Sequence, residues 1–231
     1  MNASRFCPAL FAVPLLACFA ALGTSADDEL PQTTPDGLEL LSGTKVRAAY
    51  AKPGATLEPY TKVALVDCYV AFHKDWERDY NRDASFERRV DADDMEKIKS
   101  ALAEEFRKVF TEELEEGGYE VVDDTGDDVL VVRPALYNLE VTAPDITTAS
   151  RSHTYVTSAG SMTLYMELYD SVTGDIIAKV IDPQASDRGS FGFEANRVTN
   201  KAEADRILRK WAGLLRSHLG SVGDATSPPG A

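Results

Sequence analysis

The 231-residue chain carries 24 basic against 38 acidic residues, a formal net charge of −14, with 44 % hydrophobic and 27 % charged residues. That is the composition of a folded globular protein. Nucleic-acid binding depends on neutralising phosphates with Lys and Arg, so the balance argues against DNA or RNA as a partner, and against general adsorption to anionic lipid surfaces.

In chain order the first feature is a targeting segment. Arg5 supplies a short positive region, Phe6 to Leu22 is almost wholly apolar, Gly23 breaks the run, and Thr24-Ser25-Ala26 offers small residues for cleavage. The run is shorter than a typical membrane-spanning helix and lies at the N-terminus, so residues 1–26 read as a signal peptide cleaved after Ala26. Leu15-Leu16-Ala17-Cys18 also looks like a lipobox, where bacteria attach diacylglycerol to a cysteine. Leu15 and Ala17 fit that site; Leu16, Pro14 and the apolar residues after Cys18 do not. Two destinations stay open: a soluble periplasmic or secreted protein, or a membrane-anchored lipoprotein held through Cys18. Removing residues 1–26 takes away only Arg5, leaving 23 basic against 38 acidic residues, about −15. Such an acidic surface keeps an exported protein soluble.

Residues 27–36 are polar and Pro-containing, the composition of a flexible tether. Residues 37–220 read as one domain. Leu38, Leu40 and Leu41 start it, Lys52-Pro53-Gly54 is a turn, and Val63 to Phe72 is a buried strand. The strand contains Cys68, the one cysteine outside the signal region, which reads as an inert buried thiol. Residues 73–90 form a long connection. Met95, Ile98, Leu102, Phe106, Val109, Phe110 and Leu114 then recur every three or four residues, the stripe of an amphipathic helix. Asp91 is its N-cap, and Gly117-Gly118 ends it.

Strands follow at Tyr119 to Val122, Val129 to Val141, His153 to Tyr169 and Ile176 to Ile181. In the second, Ala135, Tyr137, Leu139 and Val141 alternate against Leu136, Asn138 and Glu140, and Pro134 demands a bulge or an edge because it has no N–H to donate. In the third, Met162, Leu164, Met166 and Leu168 face one way, with Thr163, Tyr165, Glu167 and Tyr169 on the other side. Asp170 to Asp175 is a hairpin turn. A Gly-rich excursion at 183–199 precedes a last helix started by a capping-box-like Asn200 and Glu203. Ala204, Ile207, Leu208, Trp211, Leu214, Leu215 and Leu219 form its apolar face. Residues 221–231 read as a disordered tail. Strands in runs with helices set apart give an α+β fold. The expected form is a two-layer sandwich, with an antiparallel or mixed sheet of about five strands and two long helices packed on one face.

No chemical motif emerges. There is no Gly-rich phosphate loop, no nucleophile elbow and no zinc-ligand spacing, and the three histidines lie at 73, 153 and 218. No cofactor, metal or catalytic residue is assigned. The acidic loop at 123–128 has calcium-ligand chemistry without EF-hand spacing and reads as a solvated turn. His73, Asp75 and Asp79 likewise read as charged surface. The distinctive segment is 73–90, where Trp76, Arg78, Tyr80, Arg82, Phe86, Arg88 and Arg89 concentrate the residue types enriched at interface centres. It is a candidate interaction patch. The alternative is a loop whose aromatics tuck back onto the fold and whose arginines pair with neighbouring acids.

Several short stretches, taken together and in order, resemble one bacterial family. They are Asp36-Gly-Leu38, Tyr50-Ala-Lys-Pro-Gly54 with Leu57 and Tyr60, Val70-Ala-Phe72, Trp76, Tyr80-Asn81, Phe110-Thr-Glu-Glu-Leu114, Arg133-Pro-Ala135 and Asp170-Ser-Val-Thr-Gly174. The family is that of lipoproteins catalogued as domain of unknown function 3313, and the likeness covers about residues 36–219. It implies localisation in the cell envelope and often a lipidated N-terminus; it brings no reaction and no catalytic residues. The strand–helix order is also loosely similar to envelope assembly modules such as the curli-secretion lipoprotein.

The function expected from the sequence is therefore an exported, non-enzymatic envelope protein that binds an unidentified envelope protein through 73–90, with the exposed faces of 153–169 as a second surface. Membrane contact is expected only through a lipid anchor at Cys18. Two alternatives stand beside it. One is a hydrolase with a site assembled from scattered residues such as Asp67, His73, His153 and Glu167. The other is a carrier of a hydrophobic ligand bound against Met162 and Met166.

Overall fold

The computed structural model describes residues 30–141, 154–156, 160–185, 193–195 and 197–220. The expected signal peptide with Cys18 and Ala26, His153, and the expected tail 221–231 lie outside them. The stripe expected between Asp91 and Gly117 forms the longest helix, α2 (Ala92–Glu116), after a short helix α1 (Trp76–Asp83). A capping box starts α2: the Asp91 carboxylate accepts from the Asp94 N–H, and the Asp94 side chain accepts from the Asp91 N–H. At its end Gly118 takes φ +85°, a left-handed turn that a side chain resists. Phe106, Val109, Phe110 and Leu114 are fully buried, and the rings of Phe106 and Phe110 stack at 3.9 Å. Burying each such side chain contributes about 1.5–3 kcal/mol.

The helix α3 (Arg197–Gly220) packs on α2, burying Ile207, Leu208, Trp211, Ala212, Leu215 and Leu219 in the same core. It begins three residues before Asn200, so Asn200 lies inside the helix and is not its N-cap. Glu203 is buried and pairs with Arg206 one turn on.

Both long helices share their core with a mixed sheet of eight strands rather than about five. The strands are β1 (Glu39–Leu40), β2 (Ala48–Ala51), β3 (Lys62–Leu65), β4 (Tyr69–Phe72), β5 (Glu120–Val122), β6 (Val129–Val141), β8 (Gly160–Asp170) and β9 (Ile176–Ala185), while β7 (Thr154–Val156) and β10 (Phe193–Ala195) pair separately. The order is β1-β2-β9-β8-β6-β3-β5, with β4 also beside β6. Pairs β3–β5, β3–β6 and β4–β6 are parallel, the rest antiparallel. The extra strands are two to four residues long, too short for a period-2 pattern to stand out in the sequence. The strand expected over 153–169 is two elements, β7 and β8, with different partners.

Pro134 sits at neither an edge nor a bulge. β6 is central, and the single strand expected over 63–72 is broken into β3 and β4 along its side: β3 pairs with Val129–Val132, β4 with Ala135–Leu139. Val66 N–H donates to the Val132 carbonyl at 2.9 Å, which fixes the side to which even-numbered residues of β6 turn their backbone groups. The missing N–H of Pro134 therefore faces the break. Further along, Asn138 adopts φ +53° and the register shifts between Tyr137 and Glu140. This bulge changes the phase of the strand, so Leu136 and Leu139 both enter the core instead of lying on opposite faces.

Gln32 to Leu40 also fold. Thr33 bridges to Glu39, Leu40 N–H donates to the Gln32 carbonyl, and Leu38 is buried. The second half of the expected tether is thus a small hairpin that joins the sheet through β1.

Candidate functional site

On β8, Met162, Leu164, Met166 and Leu168 face the helices, so Thr163, Tyr165, Glu167 and Tyr169 lie on the outer face of the sheet. Glu167 is only 7 % exposed. Its register partners are Arg133 on β6 and Lys179 on β9, and its two neighbours on the same face are tyrosines. Each tyrosine hydroxyl donates to the carboxylate at 2.7 Å, and the Lys179 and Arg133 cations stand 3.5 and 3.6 Å away. Lys179 also pairs with Asp36 at the tip of the N-terminal hairpin. Burial pushes the Glu167 carboxyl up, but the two hydroxyls, Lys179 and Arg133 together outweigh it and hold the group below its ordinary value. Burial, then the bond to Glu167, pushes Tyr165 up to about 12, and Tyr169 moves in the same direction for the same reasons.

Beside this cluster the outer face is aromatic. Tyr69 on β4 and Tyr165 on β8 both stand opposite Ala135, and Tyr137 lies two residues along β6. The ring centroids are 5.7 Å apart for Tyr69–Tyr137 and 6.2 Å for Tyr137–Tyr165. Tyr69 is 60 % exposed and Tyr137 40 %.

The segment 73–90 is ordered as α1, a 3-10 turn at Phe86–Arg88, and short connections. Trp76 is buried, stacked between Phe72 at 4.4 Å and Tyr80 at 5.3 Å. It anchors α1 to β4 and offers no surface to a partner. Arg78 pairs with Asp75 and Asp79 at 3.2 Å, and Arg82 pairs with Asp79 and Asp83. Arg88 donates to the Ser85 hydroxyl. All these arginines are exposed, as is Arg89, and Phe86 is 87 % exposed. Asn81 closes the segment, donating to the Val90 carbonyl and accepting from the Val90 N–H.

Of the residues of the hydrolase alternative, His153 lies outside the described residues, and Asp67, His73 and Glu167 are not gathered. His73 N–H bonds Leu139, six residues along β6 from Arg133, the partner of Glu167, which is roughly 20 Å at strand rise. Asp67 is almost fully exposed and sits near Arg107 of α2. Cys68 is buried and pushed up to about 12 by desolvation, which leaves it without thiolate character at neutral pH. Met162 and Met166 are buried members of the main core. In the 123–128 loop, Asp128 bonds Thr61 and Lys62, while Gly126 is tied to the Ser171 hydroxyl. Among the described residues no group of three or more His, Cys, Asp and Glu side chains could hold a metal ion, and no helix is long and apolar enough to cross a membrane.

Sequence reasoning missed the Glu167 cluster. Alternation put Tyr165, Glu167 and Tyr169 on one face, but their partners Arg133, Lys179 and Asp36 come from three other segments, and only strand register brings them together. It also missed Asp182, which accepts from the Trp211 indole at 2.8 Å, the Arg47 N–H at 2.9 Å and Gln184 at 2.7 Å, joining α3 to the sheet.

Comparison with curated proteins returns no match. Among solved structures, the chain is similar to PelC from Paraburkholderia phytofirmans, solved as a dodecamer (11 % identity, 73 % of this chain and 95 % of that one, TM-score 0.36). It is also similar to a DUF330 protein from Xanthomonas campestris (13 %, 77 % and 94 %, TM-score 0.40) and a minor lipoprotein from Acinetobacter baumannii (10 %, 70 % and 92 %, TM-score 0.32). A family model described as protein of unknown function DUF3313 matches residues 36–215, and the chain belongs to that family.

Proposed function

We propose that this is an exported cell-envelope protein that acts by binding another envelope protein, as an assembly or accessory factor rather than a catalyst. The observation that carries the reading is Phe86, a large apolar side chain 87 % exposed on a turn flanked by exposed Arg82, Arg88 and Arg89. Aromatic and Arg side chains together are the types that dominate binding energy at interface centres. Export is supported by the apolar segment Phe6–Leu22 with its small-residue cleavage site at Ala26, and anchoring by the lipobox-like stretch ending at Cys18. The buried Glu167 carboxylate is spent on Tyr165, Tyr169, Lys179 and Arg133, which fits a structural role for it.

The contact surface on this reading is the exposed part of 73–90: Phe86 with Arg78, Arg82, Arg88 and Arg89. Trp76 and Tyr80 hold it in place from beneath. The test is a Phe86→Ala, Arg89→Ala double variant expressed in the native host. It should fold with an unchanged melting temperature and lose a protein that co-purifies with the wild type from detergent-solubilised envelopes. Undiminished recovery of that protein would overturn the reading.

A further inference from the structure

We propose that the tyrosine row on the outer sheet face, with Arg133 at its end, is a second docking platform, for a partner protein that presents a carboxylate beside apolar side chains. The proposal rests on the protein-binding reading above and adds a surface separate from 73–90. Among the described residues, six large hydrophobic side chains are well exposed. Leu41, Phe86 and Val172 stand apart on connections and turns, whereas Val66, Tyr69 and Tyr137 lie beside or on the adjacent strands β4 and β6. The small Ala135 between Tyr69 and Tyr165 lets both rings lean onto Tyr137, giving one continuous aromatic surface. Tyrosine supplies a large contact area with few rotamers to freeze and a hydroxyl for the wet rim, which suits a protein interface. The neighbouring part of the same face is closed by the chain itself, through the hairpin whose Asp36 sits on Lys179.

Charge selects the occupant. Arg133 is 64 % exposed and lies 3.6 Å from Glu167, a carboxylate already served by two hydroxyls at 2.7 Å and by Lys179. A guanidinium has five N–H donors in a fork that matches a carboxylate, and most of this one faces solvent. A second copy of this chain is the wrong complement, because it would bring together two acidic chains, each with 23 basic against 38 acidic residues once residues 1–26 are removed.

The experiment places a photo-crosslinking residue at Tyr137 of the full chain in the native host, with a second probe at Phe86 for comparison. The Tyr137 probe should capture a protein segment that contains Asp or Glu. In an Arg133→Gln background the yield should fall about tenfold, the loss of one charge-assisted bond of about 1.5 kcal/mol, and Arg133→Lys, which keeps the cation but loses the fork, should recover only part of it. Capture of only a second copy or lipid, of a segment without acidic residues, or a yield indifferent to Arg133→Gln would overturn the proposal. Capture at Phe86 with none at Tyr137 removes the platform and leaves the protein-binding reading standing; capture at neither removes both.

Discussion

Replacing Glu167 with Ala removes the acceptor of two tyrosine hydroxyls and the anion between two cations. Hydrogen bonds to a charged group contribute about 1.5–3 kcal/mol each, but Tyr165 and Tyr169 are half-buried and regain some water. The exposed Arg133 adds close to nothing, and Lys179 keeps Asp36. The net cost is about 2–4 kcal/mol, a large part of a typical domain stability of about 5–15 kcal/mol. Glu167→Gln keeps one acceptor oxygen and should lose roughly half as much. Urea denaturation at pH 7 gives both numbers. The pH dependence adds a signature. The folded carboxyl lies below its unfolded value, so its contribution is complete above the unfolded value near 4.5 and is lost as pH falls through the lower folded value. The gap between wild type and Glu167→Gln should therefore be constant above pH 5 and shrink on further acidification. A cost below about 0.5 kcal/mol for Glu167→Ala, or a gap that widens in acid, would refute the reasoning.

Three further outcomes follow from the same geometry. Asn81→Ala removes both hydrogen bonds to Val90 and should cost about 1–3 kcal/mol by urea denaturation, with faster hydrogen exchange across α1. Trp211→Phe leaves Asp182 without its indole donor and opens a void in the helix–sheet core, a loss of about 2–4 kcal/mol seen as a lower melting temperature. Cys68, buried with its thiol pushed up to about 12, should resist iodoacetamide at pH 8 in the folded domain from residue 27 onward and react fully in urea.

The two long helices were legible because α2 and α3 repeat apolar residues over six or seven turns and carry their own stop signals, whereas the two-turn α1 lay in what reads as a connection. What the sequence did not show was created by pairing. The bulge at Asn138 moves Leu139 into the core because an asparagine accepts a left-handed backbone, and strict alternation has no means to represent that phase change. Pro134 correctly signalled a missing ladder bond, but the defect was accommodated in the neighbouring strand instead of its own. Trp76 reads as an interface residue by type, yet Phe72 four residues earlier, at the end of β4, gives it a ring to stack on. Glu167 looks like an ordinary outward-facing acid until register places Arg133 and Lys179 on either side of it.

The most direct test of the central claim, that the protein is exported to work in the cell envelope, is the intact mass of the native protein from the envelope fraction of its host. The expected result is a processed chain, beginning at Asp27 or at a lipidated Cys18. A chain that retains Met1 and fractionates with the cytoplasm would contradict it.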